Sequence, residues 1–345
     1  MSTILVGMAV RLAVLAGAGD VLAAWVRDAG VDERAVAAAL NLELGIVPET
    51  VPPEPKQSPA AEPDAEETEP ILRLVAVPSP EPEASEPEGT ELPEVQTVAA
   101  TLSGAGSIHN RTELDLDFDG LAAEGLGLRL TAGEPQVLIL HTHSSEAYAQ
   151  DAYDAYEPSD PYRTEDPRYS VIRVGDVLAE KLEEYGLTVL HDTELYDYPS
   201  YTGSYSRSGA AVERYLAEYP SIRIVIDLHR DAIGSGDVVY KTQATLDGRT
   251  SAQVMMLVGT GENGLPHPNW RENLKLALYL QNAADERYPT LTRPIELVRE
   301  RYNQQLSTGM LILEVGSTGN TLREAMLAAE LFGEAAGPAL ASLIE

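Results

Sequence analysis

Three stretches of the chain end an apolar run in residues able to hold a metal or move a proton. "VLILHTHSSEAY" (137–148) passes from four aliphatic residues into His141, Thr142 and His143, with Glu146 three residues on. "IVIDLHRD" (224–231) carries His229, Arg230 and Asp231 at its end, and "MLILEVG" (310–316) carries Glu314. Two imidazoles and a carboxylate are a donor set for catalytic zinc, with a fourth position open to water. A further carboxylate nearby serves as general base toward that water. On this reading His143, Glu146 and His229 are the ligands and Glu314 is the base. The set has weight only jointly, because a lone histidine at a strand end is more often just a satisfied polar residue. No H-E-x-x-H helix is present, which excludes that kind of metalloprotease.

His141 leaves an alternative open. Residues 141 and 143 of a strand face the same side, so either can meet a metal while the other orients a ligand or touches substrate. His143 is taken as the ligand and His141 as its support. Glu314 has a second reading too, as a strand-ending partner of an arginine such as Arg301. His191 closes another apolar run and reads as a structural hydrogen-bonding residue, His267 as a loop residue, and His109 carries no signal.

The elements that must position these residues follow from hydrophobic spacing. "QVLIL", "LTVL", "IRIVIDLH", "AQVMMLVGT" and "MLILEVG" have the length and continuity of buried strands. "VIRVGDVLAEKLEEYG" has apolar residues at helical spacing and a glycine at its end, Gly186, suited to follow a helix C-terminus. "SGAAVERYLAEYP", "NWRENLKLALYLQNAADERY" and "NTLREAMLAAELFGEAAGPALASLI" are further helices. Strands alternating with helices predict an α/β fold: one mostly parallel twisted sheet with helices on both faces. Ligands in such sheets bind outside the carboxyl ends of the strands, where His143, His229 and Glu314 stand.

Composition divides the chain in three. Residues 1–47 open with a mostly apolar stretch, Ile4 to Val26, about long enough to span a membrane. Arg11 and Asp20 interrupt it, so a membrane anchor or export signal stands beside a short soluble amphipathic helix. Residues 48–96 are rich in Pro and Glu and poor in aromatics, a composition that favours an extended disordered spacer. Residues 97–345 read as the folded, catalytic domain. The 345-residue chain has no cysteine and a formal net charge of −31. The charge argues against nucleic acid and anionic lipid as partners. The missing cysteine excludes disulfides and thiolate metal sites, so any metal is held by His, Asp or Glu.

The motifs "VLILHTHSSEAY", "HDTELYDYPSYTGSYSRS", "YPSIRIVIDLHRDA", "HPNWRENLKLALYLQ" and "RPIELVRERYNQQLSTGMLILEVGSTGNTLREA" resemble, in order, the stage II sporulation protein P family over about residues 136–336. The resemblance implies a zinc-dependent N-acetylmuramoyl-L-alanine amidase that cuts peptidoglycan, with an accompanying cross-link endopeptidase activity. It implies work on the outer face of the cell membrane during engulfment, with the D and M proteins of sporulation stage II, the N-terminal segment serving as anchor. It puts the family's functional residues on His141, His143, Glu146, His229 and Glu314. This chain reads "YNQQL" where many relatives read "YNQHL", so Gln304 and Gln305 offer no histidine there. For such a substrate Arg230, Arg301 and Asn303 are candidate contacts, the arginines because they pair with stem-peptide carboxylates. The tyrosine-rich run "ELYDYPSYTGSYSRS" is either an aromatic lip for sugars or a loop packed on itself.

Overall fold

Val137–Leu140 and Ile224–Asp231 are buried at every position, and Met310–Ser317 at all but Glu314. Strands of that kind need cover on both faces. The structure, a computed structural model, describes residues 94–98, 107–235 and 238–345. The apolar segment 4–26 and most of the Pro/Glu segment lie outside the described residues. In chain order the elements are β1 (Glu94–Val98), β2 (Ile108–Asn110), α1 (Phe118–Ala123), β3 (Val137–Leu140), α2 (Val171–Glu184), β4 (Val189–His191), α3 (Ser204–Glu218), β5 (Ile224–Asp231), β6 (Gly234–Ser235) and β7 (Val238–Leu246). There follow β8 (Arg249–Ala252), β9 (Val254–Gly259), α4 (Trp270–Arg287), β10 (Ile295–Val298), a 3-10 turn (Gln304–Leu306), β11 (Met310–Ser317) and α5 (Leu322–Ala341).

The main sheet has seven strands in the order β2-β10-β9-β11-β5-β3-β4. β11, β5, β3 and β4 are mutually parallel, as are β2, β10 and β9, and the two sets meet antiparallel between β9 and β11. The fold is therefore α/β with a mostly parallel sheet. A smaller sheet joins β1, β7 and β6, with β8 paired to β7. The β7–β8 hairpin turns at Asp247-Gly248, with φ of 52° and 73°, the conformation for which Asp-Gly is favoured. This hairpin and β10 add to the strands read from the sequence. β1 begins at Glu94, so strand structure takes in the end of the segment read as spacer.

Alternation along each strand sorts its side chains between two layers. On one face Val137, Ile139, Ile226, Leu311 and Leu313 pack with Leu178 and Leu182 of α2, Leu274 and Leu278 of α4, and Ala328 and Phe332 of α5. On the other, Leu138, Leu140 and Val225 pack against Ala211 and Val212 of α3. Beyond α3, Met255, Leu257, Val298 and Ile312 form a smaller cluster with Tyr302. Helix ends follow local chemistry. Ser170 caps α2 by accepting from the Ile172 N–H, and Gly186 follows its last turn at φ +86°. Thr321 and Glu324 form a reciprocal capping box on α5. Among the described residues no helix is long and apolar enough to cross a membrane.

The parallel register of β3, β5 and β11 puts their carboxyl ends on one edge. Leu140 lies opposite Asp227, and His229 opposite Glu314. Just past Glu314 the register of β11 on β5 shifts, and Gly316, at φ +71°, takes the left-handed conformation that accompanies the shift.

Candidate metal centre

β3 ends at Leu140, and residues 142–145 turn back on themselves. Period-two alternation therefore stops just where the histidines begin, and His141 and His143 part. His143 goes to a cluster with Glu146 and His229, whose possible ligand atoms all lie within 4.8 Å of one another. Glu146 Oε1 is 3.6 Å from His143 Nδ1, and its Oε2 is 3.5 Å from His229 Nδ1. All three residues are buried, at 4–5% exposure. His141 lies behind them. Its Nδ1 is 2.8 Å from the Leu228 carbonyl, and its Nε2 is 2.8 Å from His191 Nε2. A carbonyl only accepts, so His141 Nδ1 carries the proton and, in the neutral ring, His191 Nε2 is the donor between the two imidazoles. His191 Nδ1 reaches Asp176 Oδ1 at 3.1 Å. The pair fits beneath α2 because residue 175 is glycine: a Cβ there would lie 2.6 Å from His191 Nε2. Burial first, then the neighbouring His191, pushes His141 down to about 3. It is a neutral strut behind the β5 backbone at Leu228, one residue before His229.

The 141–146 turn is fixed from several sides. The Ser145 N–H and Oγ donate to Asp197, at 3.1 and 2.5 Å, and the Tyr196 N–H donates to Ser144 Oγ at 2.9 Å. Thr142 donates to Asp227 through its backbone N–H and its hydroxyl, each at 2.7 Å. Asp227 also stands 2.9 Å from His229 Nε2. A carboxylate on one imidazole nitrogen holds the proton there and leaves the other nitrogen as the donor to a metal. For His229 that other nitrogen is Nδ1, the one facing Glu146. Asp227 escaped the sequence reading, yet it was visible as a charged residue two positions before His229 in an otherwise apolar strand, hence on the same face.

Electrostatics separates the two glutamates. Burial alone would raise the Glu146 carboxyl, but the Arg230 charge, with the His143 and His229 imidazoles close by, outweighs it and holds the group well below the usual range. Arg230 donates its backbone N–H to Glu146 Oε2 at 3.2 Å and keeps its guanidinium 3.8 Å from Oε1, while Arg163 approaches Oε1 to 3.5 Å. Glu314 goes the other way. Burial, and then the charge of Asp231, push it up to about 8. The nearby Arg293 is already paired to Asp231 at 2.7 Å, and Glu314 Oε2 has no hydrogen-bond partner. Burial would lower His229, but Asp227 and Glu146 more than reverse it and hold the imidazole well above its ordinary value.

The other residues read as substrate contacts have partners within the protein. Arg230 is buried, donating to the Ala147 carbonyl at 3.0 Å. Arg301 reaches the Pro266 carbonyl at 3.4 Å, and that is the partner the structure gives it rather than Glu314. Asn303 donates to the Tyr205 carbonyl at 2.7 Å and fastens the 3-10 turn to α3. His109 pairs with Glu296 at 2.9 Å, away from the cluster. The tyrosine-rich run does come to the site: Tyr201 stacks on His143 with ring centroids 4.7 Å apart, and Tyr205 meets the same ring edge-on at 5.5 Å.

A two-histidine, one-glutamate cluster at the carboxyl edge of a mostly parallel sheet, with a second carboxyl group beside it, defines a candidate metal-dependent hydrolase centre. The family model for stage II sporulation protein P matches residues 53–336, and the chain belongs to that family. Stage II sporulation protein P of Bacillus subtilis (strain 168) is 30% identical over 220 residues, which cover 59% of this chain and 52% of that protein. The chain thus spans about half the length of the curated relative it matches. Among solved structures, an N-acetylmuramoyl-L-alanine amidase from Clostridium difficile 630 is 14% identical with a TM-score of 0.36, over 61% of this chain and 96% of that one. The catalytic domain of CwlV, an N-acetylmuramoyl-L-alanine amidase from Bacillus (Paenibacillus) polymyxa var. colistinus, is 11% identical with a TM-score of 0.31, over 60% and 96%. Likeness at that level says nothing of activity.

Proposed function

We propose that the chain is a zinc-dependent peptidoglycan hydrolase of sporulation that cleaves the amide between N-acetylmuramic acid and L-alanine. The observation that carries the reading is the buried His143–Glu146–His229 cluster with Glu314 in register beside His229. The donor set suits zinc: two imidazoles, one carboxylate held ionised by arginine, and no thiolate. Zinc, when bound, supplies Lewis acidity and makes water acidic enough to attack near neutral pH. The Asp227 charge, 2.9 Å from His229 Nε2, favours the proton on that nitrogen. Arg230 holds Glu146 as the carboxylate. Glu314 stands beside His229 on the neighbouring strand, and one of its carboxyl oxygens has no hydrogen-bond partner. It accepts the proton of the attacking water and returns it to the leaving amine nitrogen.

The family membership supports a further reading. Residues 97–345 form the catalytic domain, the part of residues 48–96 that precedes β1 its spacer, and residues 1–47 the anchor that holds it on the outer face of the cell membrane. The D and M proteins of sporulation stage II are its proposed partners. The deciding experiment incubates the zinc-loaded chain with purified sacculi and analyses the products. Stem peptides with a new L-alanine N-terminus are expected, and their release should vanish with the metal in a His143→Ala, His229→Ala double variant. Cleavage confined to peptide cross-links, or to free peptides, would assign the centre to a peptidase instead.

A further inference from the structure

The cluster is too buried for a substrate to meet it first. His143, Glu146 and His229 are 4–5% exposed, whereas Tyr201, stacked on His143, is 47% exposed. The Arg163 side chain, 3.5 Å from Glu146, is 19% exposed, and its guanidinium lies 5.0 Å from the Tyr201 ring centroid. Of the three arginines around the centre, Arg230 and Arg293 are buried and bound to internal acceptors. Arg163 is the one with an exposed part.

The two residues are also rigidly posted. Asp197, with its side chain 1% exposed, takes Arg163 NH1 at 2.7 Å, and Ser145 Oγ takes the same nitrogen at 3.2 Å. Arg163 NH2 stands 3.5 Å from Glu146, beyond a normal hydrogen bond. An arginine has five donors in a fixed fork, so one edge can be held by Asp197 while donors on the other meet a second carboxylate. The loop that carries Tyr201 is clamped by Arg207, which donates to the carbonyls of Tyr196, Ser200 and Thr202. On a chain of net charge −31, an acidic substrate needs a local cation to approach at all.

We propose that Arg163 and Tyr201 form the recognition rim of this centre, Arg163 pairing with a free carboxylate of the substrate and Tyr201 providing the ring on which the substrate packs. The inference rests on the amide-hydrolase reading above and names the substrate feature that the site selects: a carboxylate on the peptide. It replaces Arg230 and Arg301 as the carboxylate-reading arginines.

The test measures binding apart from cleavage. Zinc-loaded Glu314→Gln chain is titrated calorimetrically with N-acetylmuramyl-L-alanyl-D-glutamate and with the same compound amidated at both glutamyl carboxyls. The acid is expected to bind about tenfold tighter than the amide, in keeping with one partly exposed charge-assisted pair. Adding Arg163→Gln should bring the ratio to within about twofold, and Arg163→Lys should restore part of it. Adding Tyr201→Ala should weaken both ligands by a similar factor and keep the ratio. A misfolded fraction changes the amount that binds and not this ratio, and zinc content is checked on each variant. An acid-to-amide ratio that survives Arg163→Gln, a ratio near one in the parent, or no binding of either ligand overturns the proposal. Sacculi incubated with the zinc-loaded wild-type chain keep the two readings apart. Uncut sacculi with Arg163-dependent discrimination intact remove the hydrolase assignment alone. Cut sacculi without that discrimination remove the rim alone.

Discussion

Replacing Glu314 by Gln should make the metal-free protein more stable near neutral pH, not less. Its carboxyl is raised from the ordinary 4.5 to about 8 by burial and by the Asp231 charge. Between those two values the folded chain holds a proton that the unfolded chain has released. Stability attributable to this group is therefore full below about 4.5 and declines as pH rises toward about 8. At pH 7.5 the gap above the ordinary value corresponds to about 4 kcal/mol as an upper limit. Local relaxation and water entry reduce it, so Glu314→Gln should gain on the order of 1–3 kcal/mol at pH 7.5 and close to nothing at pH 4.5. For a domain of this size that is a melting-temperature rise of roughly 2–10 °C. Urea unfolding of chelator-treated wild type and variant at the two pH values measures it. In the zinc-loaded form the same substitution should cut amide cleavage by about 10²–10⁴-fold, because the isosteric amide cannot accept the proton. A variant less stable than wild type at pH 7.5 would mean that Glu314 is an ionised, paired carboxylate. Near-wild-type cleavage would remove it as the base.

Three further outcomes are expected. Asp227→Asn should weaken zinc binding by about 10–100-fold, read by competition with a chromophoric chelator, because the carboxylate that orients His229 is lost; unchanged affinity would leave Asp227 a packing residue. Zinc binding at pH 7 should release at least one proton, since both His229 and Glu314 are held toward their protonated forms in the metal-free chain; calorimetric enthalpies that do not vary with buffer ionisation heat would contradict this. Gly175→Ala should destabilise the fold by about 1–3 kcal/mol in thermal melts, because its Cβ would meet both His191 and His141 at under 3 Å.

Much of the architecture was legible because the strands are continuous and the helices periodic. Parallel neighbours β3, β5 and β11 bring three sequence-distant strand ends to one edge, which the alternation of elements already implied. The antiparallel meeting of β9 and β11 was not legible, since an apolar run has no direction written in it. The β7–β8 hairpin had its signal in Asp247-Gly248, but half-exposed strands flank it, and their weak alternation hides it. The parting of His141 from His143 depends on where β3 stops. That is decided by Thr142 bonding to Asp227 and Ser145 to Asp197, contacts made across 85 and 52 residues of chain.

The roles of the two glutamates show most sharply what sequence alone leaves open. Glu146 lies just past the apolar run of β3 and Glu314 within that of β11, so nothing local separates them. Their environments do. Glu146 has Arg230 within 4 Å and both histidines against it, which keep it ionised and fit to hold a metal. Glu314 faces Asp231, whose own arginine, Arg293, is already taken, and one of its oxygens has no partner at all. Two carboxyls pushed in opposite directions can take different work, one holding a metal and the other moving a proton. The arginines responsible are Arg230 and Arg293. Exchanging the roles would take a cation moved from one carboxyl to the other: an Arg230→Gln chain should lift Glu146 toward Glu314 and loosen zinc at low pH, whereas Arg293→Gln should raise Glu314 further. Carboxyl titrations followed by NMR in the metal-free chain would show the two shifts, and an unmoved Glu146 in Arg230→Gln would mean that the histidines alone keep it ionised.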